Sequence, residues 1–234
     1  MDNTSASMQK YARAIGVAML LSIIFGALGE AYLPGRIIVG TDAAATAANV
    51  LQHPDLFRAG FAAYLVEGLC DVALCGLWYL LLRPVSRSLA LLSAFFGIVS
   101  MVGYAVAEAF YLAPSLILRN APYLASFSVE QRNTAALFSF KLFAMIAALF
   151  LIHYGIASML RGYLIARSGY LPKPLGVLLM IGGAGFILQT VLYVVAPQYN
   201  SNFLLMPMAI AGLPITGWLL IKGVDLTRFS DDSS

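Results

Sequence analysis

Six runs of mainly apolar residues, each about long enough to cross a bilayer, constrain this chain more than any other feature. A spanning helix needs about 20 such residues, and the stretches 12–33, 57–82, 88–113, 134–160, 174–196 and 204–221 all qualify. With 61% hydrophobic and 11% charged residues and a mean hydropathy of +0.85, a water-soluble globule could not cover itself with polar surface. In hydrocarbon no such cover is needed, but every backbone polar group must be satisfied within its own segment, which selects helices. The expected fold is therefore all-α, an integral membrane bundle of six transmembrane helices forming a single domain over 1–234.

Proline and capping residues sharpen the boundaries. Pro34, Pro84, Pro114 and Pro197 each follow a span, and Pro174 suits the first turn of the fifth, since proline cannot continue a helix but fits its start. Ser128-Val129-Glu130-Gln131 reads as a capping box, so the fourth helix is expected to begin early and run long. Thr41-Asp42 before an alanine-rich run to Gln52 predicts a capped short helix near the interface. Pro122, Tyr123 and Phe127 give the next outer loop the aromatic character of headgroup depth.

Basic residues set the orientation. Alternate junctions hold Lys10, Arg13, Arg83, Arg87, Arg161, Arg167, Lys173, Lys222 and Arg228, nine in all, against Arg36, Arg58, Arg119 and Arg132 on the other side. Loops rich in lysine and arginine stay in the cytoplasm, so both termini are expected there. Lys10 and Arg13 before the apolar run 14–28 also resemble the start of a signal peptide. The apolar character resumes at 31–33, which favours an uncleaved first helix.

Charges inside the spans are the sharpest functional signal. A charged side chain at the centre of a span costs roughly 2.5–3.5 kcal/mol on insertion scales and calls for a partner or a task. The second span carries Glu67 and Asp71, the third Glu108, and the fourth Lys141 and His153, while Glu30 and Arg58 lie near the outer ends of the first two. Counting from the outer boundary puts Glu67 roughly 15 Å down, Asp71 about 21 Å, Glu108 about 8 Å and Lys141 about 11 Å. Glu67, Asp71, Glu108 and Lys141 thus form a candidate binding cluster, in which Lys141 is long enough to meet Glu67 or Glu108 if those helices are neighbours. Glu30, Arg58 and His153 are secondary candidates, and His153 is expected to bond to a neighbouring helix. Gly60, Tyr64, Glu67, Asp71 and Trp78 line one stripe of the second helix, as Gly97, Tyr104, Glu108 and Tyr111 do on the third. Small, aromatic and ionisable residues together mark interior rather than lipid-facing surface. The cluster reads either as a protonatable cavity for a proton, cation or small solute, or as a charge network that fixes helix register.

Other chemistries have no motif. There is no HExxH, P-loop, GxSxG or dinucleotide fingerprint, and no cofactor or metal site is expected. Cys70 and Cys75 point about 140° apart on a helix and read as small core residues. A net charge of +3 gives no reason to expect nucleic acid. Membrane lipids are the expected surroundings, and the sequence names no protein partner. Gly182-Gly183-Ala184-Gly185 in the fifth span predicts close helix packing. Pro207, Gly212 and Pro214 predict a kinked or locally unwound sixth span.

Three stretches carry a family resemblance: GYLIARSGYLPKPLGVLLMIGGAGF at 162–186, CDVALCGLWYLLLRPVSRSLALLSAFF at 70–96 and DAAATAANVLQHPDLFRAGF at 42–61. With the acid ending the first span, they resemble domain-of-unknown-function family 4386 over most of the chain. The resemblance implies a multi-pass protein of a bacterial cytoplasmic (inner) membrane and no established activity. It favours Glu30, Asp42, Arg58, Asp71, Arg83, His153 and Tyr170, whereas Glu67, Glu108 and Lys141 lie outside the matching stretches. In the SGYLP run, Gly169 is expected to supply a tight turn and Tyr170 an interfacial anchor. The leading expectation is a small transporter or solute- or cation-binding membrane protein. Its alternatives are an intramembrane enzyme acting on a lipid-like substrate through a carboxylate or His153, and a non-catalytic subunit or sensor.

Overall fold

The structure is a computed structural model and describes residues 3–227; Arg228, one of the orientation markers, lies outside them. In chain order the α-helices are α1 (Asn3–Gly26), α2 (Pro34–Ile37), α3 (Ala43–Gln52), α4 (Pro54–Leu82), α5 (Arg87–Leu112), α6 (Pro114–Ile117), α7 (Val129–Arg167), α8 (Lys173–Val195) and α9 (Met206–Ile221). There is no strand among the described residues. Six helical segments are long and apolar enough to cross a membrane: Ala6–Ile37, Pro54–Leu82, Arg87–Ile117, Val129–Arg167, Lys173–Val195 and Asn202–Ile221. The chain is an all-α membrane protein of six spans, at the places the apolar runs predict.

The capping signals hold. Asp42 Oδ1 accepts from Ala45 N at 2.9 Å, starting α3. Ser128 and Gln131 bond reciprocally, with Ser128 N donating to Gln131 Oε1 at 2.8 Å and Gln131 N to Ser128 Oγ at 3.1 Å. That box lets α7 run for 39 residues, about 58 Å at 1.5 Å per residue. The hydrocarbon core is only about 30 Å thick, so much of α7 extends beyond it or tilts within it. The sixth span stays helical through Pro214, after a 3₁₀ start at Asn202–Leu205. Thr216 Oγ1 donates to Gly212 O at 2.8 Å beside the proline; of the expected kink or local unwinding, the helix shows no unwinding at Pro214.

The chain gathers into two compact units. The first takes, among the described residues, 3–21, Leu69–Met101 and 148–227. Its core includes Ile15, Trp78, Leu81, Leu164, Tyr170, Ile215 and Leu219. Here α7 and α8 meet backbone to backbone. A Cβ at Gly162 would stand 2.5 Å from Gly176 O, and one at Gly183 2.5 Å from Gly155 O. Gly155 and Gly162 are seven residues apart, as are Gly176 and Gly183, so each pair recurs on one helix face. Gly182 turns instead to α9, where a Cβ would lie 2.8 Å from Met208 Cα. The glycine run of the fifth span therefore does pack helices, and serves two neighbours.

The SGYLP turn is part of this core. Gly169 adopts φ +72°, a conformation that costs glycine little. Tyr170 is 3% exposed and its hydroxyl donates to Leu81 O at 2.6 Å. It is thus a buried tie to the end of α4, not the interfacial anchor that its position beside a turn suggests. The two ends of the described chain also meet in this unit. Gln9 Nε2 donates to Lys222 O at 3.1 Å, and Gln9 Oε1 accepts from Val224 N at 2.9 Å.

The second unit comprises Ser22–Gly68 and Val102–Ala147. Ile37, Val50, Phe57, Tyr64, Tyr111 and Phe140 form its core. Asn49 Nδ2 donates to Ile37 O at 3.1 Å and fastens α3 to the end of the first span.

Because overpacking by even a few methylenes costs about 1–3 kcal/mol, Gly162→Leu should lower the thermal midpoint in detergent markedly. Gly76→Leu, with nothing within 4 Å of its added Cβ, should leave the midpoint near that of the parent. Tyr170→Phe strands Leu81 O and should cost about 1 kcal/mol, read as an intermediate drop in the same melting experiment.

Candidate functional site

The first span does not finish as an α-helix. Residues Ala27–Tyr32 form a π turn, with Leu33 N donating to Leu28 O, five residues back, at 2.9 Å. Such turns are rare and recur at functional sites. Glu30 lies on this one and is exposed.

Three glycines let neighbouring groups approach closely. A Cβ at Gly26 would sit 2.6 Å from Glu67 Oε1, so the Glu67 carboxylate lies directly against the bare backbone of α1. Gly29 faces the Tyr64 ring, with a virtual Cβ 3.3 Å from Cδ1. Gly60 on α4 faces the hydroxyl of Tyr111, which donates to Phe57 O at 3.3 Å. Also between α4 and α5, Glu108 Oε1 stands 3.8 Å from where a Cβ of Gly68 would be.

An aromatic cluster fixes these groups. Tyr111 stacks on Phe57 with ring centroids 5.1 Å apart. Tyr64 meets Tyr111 edge to face at 5.2 Å, and Phe143 also at 5.2 Å. Such pairs contribute about 0.5–1.5 kcal/mol beyond area burial and restrict ring orientation. The Tyr64 side chain is 1% exposed. Its hydroxyl is buried and has no hydrogen-bond partner among the described residues, yet Glu30, Glu67 and Glu108 all lie within electrostatic reach of it. Exposure falls from Glu30 (exposed) through Glu67 (half-buried) to Glu108 (buried). Three carboxylates of differing exposure are thus within electrostatic reach of one hydroxyl. Among the described residues no three acidic, histidine or cysteine side chains stand close enough together to hold a metal ion.

The other sequence candidates fall elsewhere. Lys141 is exposed, one position off the face that sends Phe140 and Phe143 into the aromatic cluster, so it is not the buried counter-charge its depth suggested. Arg58 is also exposed and pairs with Asp55 at 3.5 Å. His153 belongs to the first unit, where its ring stacks on Phe150 at 5.4 Å and faces Phe96 at 6.2 Å. Its Nδ1 is buried without a hydrogen-bond partner among the described residues, in place of the expected bond to a neighbouring helix.

Asp71 is buried in the first unit and forms part of a second polar group that sequence reasoning missed. Arg161 is 4% exposed on α7 and is not a loop residue. Its Nη2 lies 3.6 Å from Cys75 Sγ and its guanidinium 5.8 Å from the Tyr154 ring centroid. Asp71 and Arg161 both act electrostatically on the Cys75 thiol. Gly97 makes room, since a Cβ there would come 2.7 Å from Arg161 Nη2. The available sequence signal was the i, i+7 spacing of Tyr154 and Arg161, hidden because Arg161 falls one residue past an apolar run.

A family profile described as Domain of unknown function (DUF4386) matches residues 14–223, nearly the whole described chain. The chain belongs to the DUF4386 family. An uncharacterized protein of the archaeon Archaeoglobus fulgidus is 32% identical over 162 residues, covering 68% of this chain and 80% of that protein. No solved structure matches. Within the DUF4386 match lie Glu30, Tyr64, Glu67 and Glu108, as do Asp71, Cys75 and Arg161.

An unpartnered buried hydroxyl contributes nothing that a phenyl ring lacks, and desolvating it carries a cost. Tyr64→Phe should therefore leave the melting temperature unchanged or raise it. A loss equivalent to 1 kcal/mol or more would mean the hydroxyl is already bonded.

Proposed function

We propose that Glu30, Glu67, Glu108 and Tyr64 form the binding site of a small transporter or cation-binding membrane protein, taking a proton or a small organic ammonium ion. The observation that carries this reading is the Tyr64 hydroxyl, buried and unpartnered among the described residues, with three carboxylates in electrostatic reach. Acids placed in a low-dielectric span are costly unless a cation or proton compensates them, and the described residues supply no metal-binding geometry. A proton needs only one carboxylate at a time. An ammonium ion can lie between carboxylates too far apart to share a metal, with the Tyr64 oxygen as a further acceptor. The exposed Glu30 is the entry residue, and Glu67 and Glu108 are the inner holders.

The eight basic junction residues other than buried Arg161 support cytoplasmic termini, with Glu30 at the opposite side. For a bacterial protein the membrane is then the cytoplasmic one, and the site opens outward.

Purified protein in liposomes should bind methylammonium in calorimetry, or take up protons against an internal pH dye. Glu67→Gln and Glu108→Gln should each weaken this by about tenfold or more, the loss of one charge-assisted contact. Lys141→Gln should leave it intact. Unchanged binding and uptake in a folded Glu67→Gln, Glu108→Gln double variant would sink the proposal.

A further inference from the structure

A cleft of about 630 Å³ opens beside the start of α7, in the second unit. That volume lies in the range of small-molecule sites, about 300–1,000 Å³. Its lining changes character along the helix. Glu130 and Arg132 stand at the helix start, while Ile117, Leu124, Phe127 and Phe138 supply apolar wall. Phe138 is about 9 Å further along the axis than Arg132. Phe127 and Phe138 are 52% and 60% exposed, so the wall faces the surroundings and is not closed into the core.

Arg132 is the unusual member. Its Nε is buried and has no hydrogen-bond partner among the described residues. Arg36 lies over the Tyr32 ring at 5.0 Å, and Arg119 donates to the Tyr123 hydroxyl at 3.0 Å. The Gln131 amide oxygen is engaged in the helix cap. A desolvated guanidinium N–H calls for an acceptor oxygen, preferably an anionic one. Glu130, exposed on the same cleft, makes the polar end one cation and one anion. A net anion would be held by the first and repelled by the second; a zwitterion is matched by both.

We propose that this cleft binds a zwitterionic aminophospholipid. Its phosphate accepts from Arg132, its ammonium donates to Glu130, and an acyl chain runs along Leu124, Phe127 and Phe138. The polarity follows the membrane, since α7 begins at its charged end and continues into its span. The headgroup therefore lies at the interface and the chain towards the hydrocarbon. This site is separate from the carboxylate site and does not depend on it.

The test is lipid retention by the full chain, extracted from vesicles of equal parts phosphatidylethanolamine and phosphatidylglycerol and weighed by native mass spectrometry. Phosphatidylethanolamine should be retained preferentially. Arg132→Gln should reduce total retention about tenfold, as expected for one lost charge-assisted hydrogen bond. Glu130→Gln should abolish the preference while leaving phosphatidylglycerol bound. Ala135→Trp, which fills the cleft, should remove both lipids. Equal retention of the two lipids by the parent overturns the proposal, as does retention indifferent to Arg132→Gln and Ala135→Trp. Inorganic phosphate binding through Arg132 as tightly as the lipid would also overturn it, by making the site one for a free anion.

Discussion

Leucine gains nothing by leaving lipid for another helix, because the two surroundings are equally apolar. What holds spans together is how closely their backbones can approach, so that dispersion contacts and short polar contacts form. In this protein glycine sets that approach. Gly155 and Gly162 on α7 meet Gly183 and Gly176 on α8 across distances that no Cβ could occupy. The same device accommodates the polar groups. Glu67 lies against Gly26, Tyr111 points at Gly60, and Arg161 with Cys75 faces Gly97. Room for charge and room for packing come from one residue type, and substituting it disturbs both.

The two polar groups differ in kind. In the second unit three carboxylates lie within electrostatic reach of a hydroxyl with no hydrogen-bond partner among the described residues. In the first, Asp71, Cys75 and Arg161 bring both signs of charge together around a thiol, with a tyrosine face for the guanidinium. Each group also holds a buried polar atom with no hydrogen-bond partner among the described residues, the Tyr64 hydroxyl in the second unit and Arg161 Nε in the first.

Spans, caps and stripes were legible because each rests on local chemistry: apolar runs, a serine–glutamine box, and small or aromatic residues at helical spacing. Tyr64, Glu67 and Glu108 could be placed on interior faces in this way. Lys141 could not, since depth along a helix says nothing about azimuth; neighbouring Phe140 and Phe143 take the inner face and leave lysine outside. Arg161 was read as a loop residue because an apolar window ends at a charge even where the helix does not. Tyr170 was misread for the complementary reason, as its partner Leu81 O is 89 positions away. Glu30 owes its place to a π turn that no residue pattern announces.

That turn alters the phase of the first span. Each N–H in it reaches one carbonyl further back than in the α-helix, so one residue is effectively inserted. Faces before and after it are no longer in register. Gly26 and Gly29 turn towards α4 while Glu30 is left exposed, and Leu33 and Ile37 beyond the turn are buried again. A regular helix of this sequence would carry Glu30 and Ile37, seven positions apart, on nearly the same side. The insertion therefore acts as a coupling between two differently aimed half-helices, and it separates the aim of an acid from the packing of the helix end that carries it.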